Sequence, residues 1–533
     1  MLRNLRLLIW LSLLAANRAH LRAALPAKEG SFTQQAGNTF YVDAVTGNDA
    51  NDGLSPQRPW KTLALVNATT FHPGDTILFK AGAAWDGQLW PKGSGEPDRP
   101  IRVGAYGGGA KPVIRAAGQF ADAVLLKNQE HWEIEDLDVS NSGAKLEVRR
   151  GVHVTLNDFG EAHHIVLRRL TVHDVNGDDQ LKPNGGIIVD SAGANKRSRF
   201  VDLRIEDNEV YATDRNGITT WSDAWQRSKW YPSLGVVVRG NRLRDIGGDG
   251  ILVTAADGAL IERNVVEKAN QRSAGYNVAI WSWSADDTIV QYNEASGTKG
   301  ERDGEGFDSD WNSRNTLIQY NYSHDNDGGF ILICNEGSYS PSDSVGNVGT
   351  IVRYNISQND RHRGITLSGP VQNTAIYNNT LYVSQRQPVD MVLFTDWFGW
   401  PQETRFTNNI FYAENSAHIG HATARSEQTG HHSSSPGFGP SKSTSFDANV
   451  YFGPLEKVAD PRGLTTDPQF ADAGHGADGR NSLTGYSLKS ASPARATGQP
   501  VHDNGAQDFF AAPLANCTKP DRGAVQSSRC ASR

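Results

Sequence analysis

From about residue 150 to 410 the chain repeats one pattern: a glycine, a short apolar or β-branched run, a polar stretch, and a second short run closing on asparagine. The glycine-led runs start at Gly186, Gly217, Gly250, Gly306, Gly329 and Gly364. The closing asparagines are Asn208, Asn241, Asn264, Asn293, Asn321, Asn355, Asn379 and Asn409. Strand-sized runs recurring every 20 to 35 residues, with almost no helical period, predict a β-solenoid with one coil per repeat. In such a coil alternate side chains enter a dry bore, and each coil stacks on the next at about 4.8 Å. An asparagine at the same corner of every coil predicts a ladder, its amide bonding the backbone of a tight turn and tolerating left-handed geometry.

The segments outside the repeat carry a resemblance. The opening stretch Tyr41-Val42-Asp43, Asp52-Gly53-Leu54-Ser55-Pro56, Trp60-Lys61-Thr62-Leu63 and Pro73-Gly74-Asp75-Thr76-Ile77 resembles the start of secreted right-handed parallel β-helix proteins of the pectate-lyase-like superfamily. The closing Asp467-Pro468-Gln469-Phe470, Tyr486-Ser487-Leu488, Ser492-Pro493-Ala494 and Asp508-Phe509-Phe510 resemble them too. The resemblance implies an all-β, single-stranded right-handed parallel β-helix and a carbohydrate-active protein, but not which chemistry, since the fold hosts lyases, hydrolases, epimerases and esterases. The expected organisation is a signal peptide at 1–27, an N-terminal cap at 28–82, the β-helix at 83–500 with a long loop at about 418–445, and a tail at 501–533.

Arg3 and Arg6 before the apolar run Leu7–Ala16 read as a secretory leader, which implies a secreted or periplasmic protein. No later segment is apolar for long enough to span a bilayer. In that setting Cys517 and Cys530 are candidates for a disulfide, whereas Cys334, inside Phe330-Ile331-Leu332-Ile333, reads as a buried filler. The 52 Lys and Arg against 59 Asp and Glu give a net charge of −7, which argues against nucleic acid as a partner. His421, His431 and His432 lack a fixed metal-ligand spacing and read as part of a solvated loop. Asp43, Asp49 and Asp52 are conceivable calcium ligands, but a glycine-rich turn explains them as well. No cofactor motif is present, and a monomer is expected.

Alternation after each leading glycine assigns faces: the first residue points inward, the second outward. The outward set then contains Asp190, Trp221, Leu252, Ala279, Trp281, Trp283, Asp308, Asp310, Ile331, Ile333, Thr366 and Ser368. Tryptophans beside carboxylates suit a glycan, whose apolar ring faces stack on indole while acids bond hydroxyls or move protons. Asp308 and Asp310, about 7 Å apart along one strand face, are the candidate acid/base pair, with Glu305 assisting from the corner. Repulsion between two such groups raises one pKa, as glycoside hydrolysis requires. Candidate substrate contacts are Trp221, Trp281, Trp283, Asp223, His324, Glu336, Trp397 and the basic run Arg361, His362 and Arg363. The leading expectation is therefore a hydrolase of a polysaccharide or oligosaccharide, requiring no cofactor. A lyase acting on a uronate, with the basic run at the substrate carboxylate and calcium held by acids, is the alternative. A non-catalytic carbohydrate-binding solenoid is the third.

Overall fold

The computed structural model describes residues 37–300, 302–423, 435–514 and 518–527. Three sheets of 15, 13 and 12 strands run the length of a coil stack, their strands pairing in parallel with counterparts one coil away except for the two-residue Ser435–Pro436, which pairs antiparallel with Ala417–Thr423. Right-handed crossover between parallel strands is the sterically favoured sense, and the chain is a right-handed parallel β-helix. Each coil contributes one strand per sheet. One central coil, for example, consists of Glu305–Ser309 in the third sheet, Leu317–Gln319 in the first and Tyr322–His324 in the second.

Apolar side chains from all three sheets fill the bore. Ile187, Ile218, Ile251, Ile280, Phe307, Ile331 and Ile365 form one continuous inward column of the third sheet, all fully buried. The asparagine ladder is present from Asn208 to Asn409 and continues to Asn449. Each Nδ2 donates to the next Oδ1 at 2.9–3.0 Å, and each Oδ1 also accepts the previous asparagine's backbone N–H. Asp460 ends the ladder, accepting from Asn449 Nδ2 at 3.0 Å. The left-handed residue of each corner is not the ladder asparagine but the one before it: Asp207, Arg263, Tyr292, Tyr320, Tyr354, Asn378 and Asn408 have φ between 50° and 58°.

Three boundaries differ from expectation. The last paired coil strands are Ser445–Asp447 and Val450–Phe452; beyond them, to residue 500, the chain makes only isolated bridges and a short 3₁₀ turn at Arg480–Tyr486. This segment and the described part of the tail pack instead on the second sheet, where Phe470, Leu483, Tyr486 and Phe509 bury Tyr322, Ile356, Tyr382 and Ile410. The expected loop from 418 begins as a strand, Ala417–Thr423, paired with Val389–Asp396. At the other end, Thr39–Val42 already pairs with Thr76–Lys80, and the short helix Leu63–Ala68 buries Leu63 and Val66. The 1–27 leader, Cys517, Cys530, His431 and His432 lie outside the described residues.

Candidate active site

The third sheet presents two outward columns. One reads Ile188, Thr219, Leu252, Trp281, Asp308, Leu332, Thr366 and Leu393 in successive coils. In the other, Asp190 pairs with Trp221, Thr254 with Trp283, Cys334 with Ser368, and Ser368 in turn with Thr395. Asp310 follows the paired Ser309 and reaches this second column: Cys334 Sγ donates to its Oδ1 at 2.7 Å. Over Asp308 and Asp310 opens a cavity of about 560 Å³, walled by Trp281, Leu332 and Trp397 and rimmed by Gln180, Lys182, Tyr276, Arg302 and Asp303 from the loops entering the sheet.

One coil departs from the expected alternation. Gly329 pairs with Glu305 and Arg363, not with Gly306 and Gly364. Its φ of 142° and the Arg363 carbonyl, 2.0 Å from where a Cβ would stand, require glycine there. Phe330 consequently takes the inward position that Gly306 and Gly364 hold in neighbouring coils, and the second sheet carries only Ser357 where other coils place Leu243 or Leu381. The slip turns Ile331 and Ile333 into the bore and Leu332 and Cys334 out. Ala279 likewise belongs to the bore, in register with Gly306. Cys334 is buried as expected, but against the carboxylate of the cleft and not in the core.

The bare Gly329 has a second effect. Across it Arg363 Nη2 reaches Glu305 Oε1 at 3.0 Å, two coils away, and its Nε donates to the Gly328 carbonyl at 3.1 Å. Glu305 is fully buried and is not part of the cavity wall. A second buried pair lies toward the other side: Asp249 accepts from Lys182 Nζ at 3.0 Å and from Trp281 Nε1 at 3.1 Å, with Arg215 at 3.5 Å. Lys182 Nζ also lies 4.7 Å from the centre of the Trp281 ring, a cation–π contact that covers one face of the indole.

Burial dominates the electrostatics. It holds Asp303 well above the usual carboxylate range, with Glu305 and Asp310 adding to the effect and Arg363 opposing it. Burial likewise holds Asp308 well above that range, reinforced by Asp310 and Asp303. Asp310 is pushed up by burial only to about 6, because the Cys334 thiol, the Trp311 backbone N–H at 2.7 Å and Lys182 favour its anion. Burial and the neighbouring carboxylates push the Cys334 thiol up, so it stays protonated and donates. All three carboxyls are raised, Asp310 the least because hydrogen bonds favour its anion; such separation of neighbouring carboxyls is where acid and base roles are read.

The remaining sequence candidates separate. Of the three outward tryptophans only Trp281 lines the cavity, joined there by Trp397. Trp283 packs with Trp225, Trp311 and Trp221, and Trp221 keeps 38% of its surface exposed beside it. Asp223 is exposed and accepts from the Gly193 N–H at 3.0 Å. Glu336 borders a neighbouring hollow of about 380 Å³ with Tyr339 and Arg314. From the basic run, Arg363 alone lines the cavity; Arg361 pairs with Asp327 at 2.9 Å, and His362 is the left-handed corner residue. His324 belongs to the second sheet, where it sits between Glu294 and Asp325 and stacks on Tyr322 at 4.3 Å. Those carboxylates raise its pKa to about 9 in spite of burial. Lys182, Arg215, Asp249, Tyr276, Arg302 and Asp303 were not singled out by the pattern, because they enter from loops or from the position before the leading glycine, where alternation assigns no face.

The oxygens of Asp308 and Asp310 and the sulfur of Cys334 come within 4.8 Å of one another. A donor set containing a thiol does not fit calcium, which takes oxygen ligands. Asp43, Asp49 and Asp52 each accept hydrogen bonds within their own loop, from Val45 and Thr46, from Lys61 and Thr62, and from Leu54 and Arg58.

No family model matches the chain. It is 28% identical over 492 residues to a lacto-N-biosidase of Bifidobacterium longum subsp. longum. That alignment covers 74% of this chain but 30% of the relative, so the chain spans about a third of that protein's length. The crystal structure of a GH136 lacto-N-biosidase from Eubacterium ramulus, as its selenomethionine derivative, superposes with a TM-score of 0.58 at 25% identity, covering 72% of this chain and 68% of that one. The native form of the same protein gives 0.57 at 24%. The likeness is to oligosaccharide hydrolases.

Proposed function

We propose that this protein is a glycoside hydrolase that releases a lacto-N-biose-type disaccharide from an oligosaccharide, with Asp310 as the ionised carboxylate and Asp303 as the acid. What carries this reading is the cavity itself, which brings Asp303, Asp308 and Asp310 together, with burial raising all three and hydrogen bonds from Cys334 and the Trp311 N–H favouring the anion of Asp310 alone. Asp303 and Asp310 are both partly open to the cavity, whereas Asp308 is 3% exposed. The proton of Asp303 can therefore meet a leaving glycosidic oxygen, while Asp308 serves as a protonated neighbour that donates to substrate.

In the first step Asp310 attacks the anomeric carbon as the C–O bond breaks, and Asp303 gives its proton to the departing oxygen. Asp303, now ionised, then takes a proton from water as the water oxygen displaces Asp310, restoring both groups. Trp281 and Trp397 offer apolar surface to the sugar rings. Lys182 and Arg363 are each tied to a buried carboxylate, and three carboxyls, Asp303, Asp308 and Asp310, share the lining, which favours hydrolysis of a neutral glycan over elimination from a uronate. Export through the segment 1–27 and action as a monomer belong to the same proposal.

The test uses an aryl β-glycoside of lacto-N-biose and the corresponding tetrasaccharide. Release of the disaccharide from both by the wild-type chain is expected. Asp310→Asn should lose both activities by at least a thousandfold. Asp303→Asn should lose the tetrasaccharide reaction but keep much of the aryl reaction, whose leaving group needs no proton. An unsaturated, ultraviolet-absorbing product, or full activity in Asp310→Asn, would overturn the assignment.

A further inference from the structure

Far from the cavity in sequence, the outer face of the first sheet carries a histidine cluster that the proposed reaction does not use. His131, His164 and Asp202 stand at one point in three successive coils, with φ of 55°, 52° and 62°. The left-handed residue lets adjacent side chains His163 and His164 both reach the outside, while Ala162 and Ile165 on either side stay in the bore. His131 lies against both, its ring 6.0 Å from that of His163 at 12° and 6.3 Å from that of His164 at 27°.

The two half-buried histidines His163 and His164 have different surroundings. His164 is held between Asp202 at 2.8 Å and Glu133 at 3.1 Å, which engages both ring nitrogens. His163 Nδ1 faces Glu130 Oε2 at 2.9 Å, and the same oxygen is 3.9 Å from His131 Nε2. A tetrahedral ion with bonds of about 2.0 Å sets its ligand atoms about 3.3 Å apart, and these two separations bracket that value. All three donor atoms lie within 4.8 Å of one another. The second nitrogen of His163 points to Glu161 Oε2 at 3.6 Å, the outer carboxylate that a metal-bound imidazole typically uses to fix its tautomer. Partial exposure of Glu130 and His163, against the nearly buried His131, leaves the fourth direction to solvent.

We propose that Glu130, His131 and His163 form a binding site for a divalent transition ion of the zinc class, with Glu161 as the outer partner of His163. Binding needs His163 Nδ1 free of its proton, which either leaves to solvent or is replaced by a proton on Nε2 facing Glu161. The ion would tie the coil containing Trp132–Glu135 to the next, which contains Glu161–Arg168.

The experiment takes the untagged full chain, stripped with a chelator, and titrates it with zinc sulfate by calorimetry and with cobalt(II) by visible absorption. Expected are one zinc per chain with a Kd below about 10 μM, visible cobalt bands of a nitrogen- and oxygen-ligated ion, and a higher Tm with zinc. Affinity should fall at least tenfold in His163→Ala and in Glu130→Gln, while His324→Ala, which alters a separate buried cluster, should bind as the wild type does. Zinc binding that is equal in wild type and His163→Ala, or no uptake at 100 μM zinc, would overturn the proposal. None of these readouts depends on hydrolysis, so the site and the proposed reaction can fail separately.

Discussion

At the scale of single residues, the cleft depends on how three carboxyls share a little space. Asp310 is raised to about 6 and burial raises Asp303 well above the usual carboxylate range, so kcat/KM should fall below about pH 6 as Asp310 takes a proton, and on the alkaline side as Asp303 loses one. The thiol of Cys334 favours the Asp310 anion. Cys334→Ala should move the acid limb up by roughly half to one pH unit, while Cys334→Ser, which keeps a donor, should leave it near the wild-type position; a pH–rate profile of both variants checks this. Asp308 bears on stability. Its pKa is raised on folding, so the native chain holds a proton that the unfolded chain gives up above about pH 4; this stability is present at low pH and is lost as pH rises through the raised value. Asp308→Asn should therefore flatten part of the fall in unfolding free energy above about pH 4, measured by urea titration. The sequence made Asp308 and Asp310 visible because they fall on strand positions of known parity. Asp303 opens the same acidic run, but its role was not legible, since it precedes the strand in a loop where alternation assigns no face.

At the scale of elements, the coil corner was legible and its details were not. Regular asparagines at 23- to 34-residue spacing can hardly serve anything but a ladder, and the ladder is there. Which residue takes the left-handed turn was misread, because several types, including tyrosine and arginine, accept it once the asparagine amide holds both sides. Asn293 donates to the Ile261 carbonyl at 2.9 Å and accepts from Asn264. Asn293→Ala would strand buried polar groups in two coils and should cost roughly 2–4 kcal/mol, seen as a lower urea midpoint. The same substitution should not change the pH optimum, because the ladder lies on the bore side and the cleft outside.

At the scale of the whole molecule, the chain is one stack with a long segment folded back over one flank. Of the outward tryptophans of the third sheet, Trp281 stands at the cleft, whereas Trp221 and Trp283 belong to the packed group with Trp225 and Trp311. The closing segment was legible as a resemblance but not as a cover, since nothing in its own pattern tells which sheet it will lie on. Its anchors are reciprocal bonds between Gln358 and Gly476 at 3.0 Å and the Gly479 N–H on Glu294 at 2.9 Å. A chain ending at residue 455 should expose Tyr322, Ile356 and Tyr382, bind a hydrophobic dye, and aggregate on warming below the full-length Tm.

Gly329 shows what such a stack allows. A coil can be treated as a line of text in which odd and even letters are read by different audiences, the interior and the substrate. Moving the line by one letter exchanges the two messages without rewriting either, and the neighbouring lines keep their alignment. That is how a thiol comes to stand beside Asp310 where an isoleucine would otherwise have been. Insertions or deletions of one residue at a coil corner are thus a route by which β-helices can acquire new chemistry at a cleft, provided that, as with Ser357, the opposite wall leaves room for what turns inward.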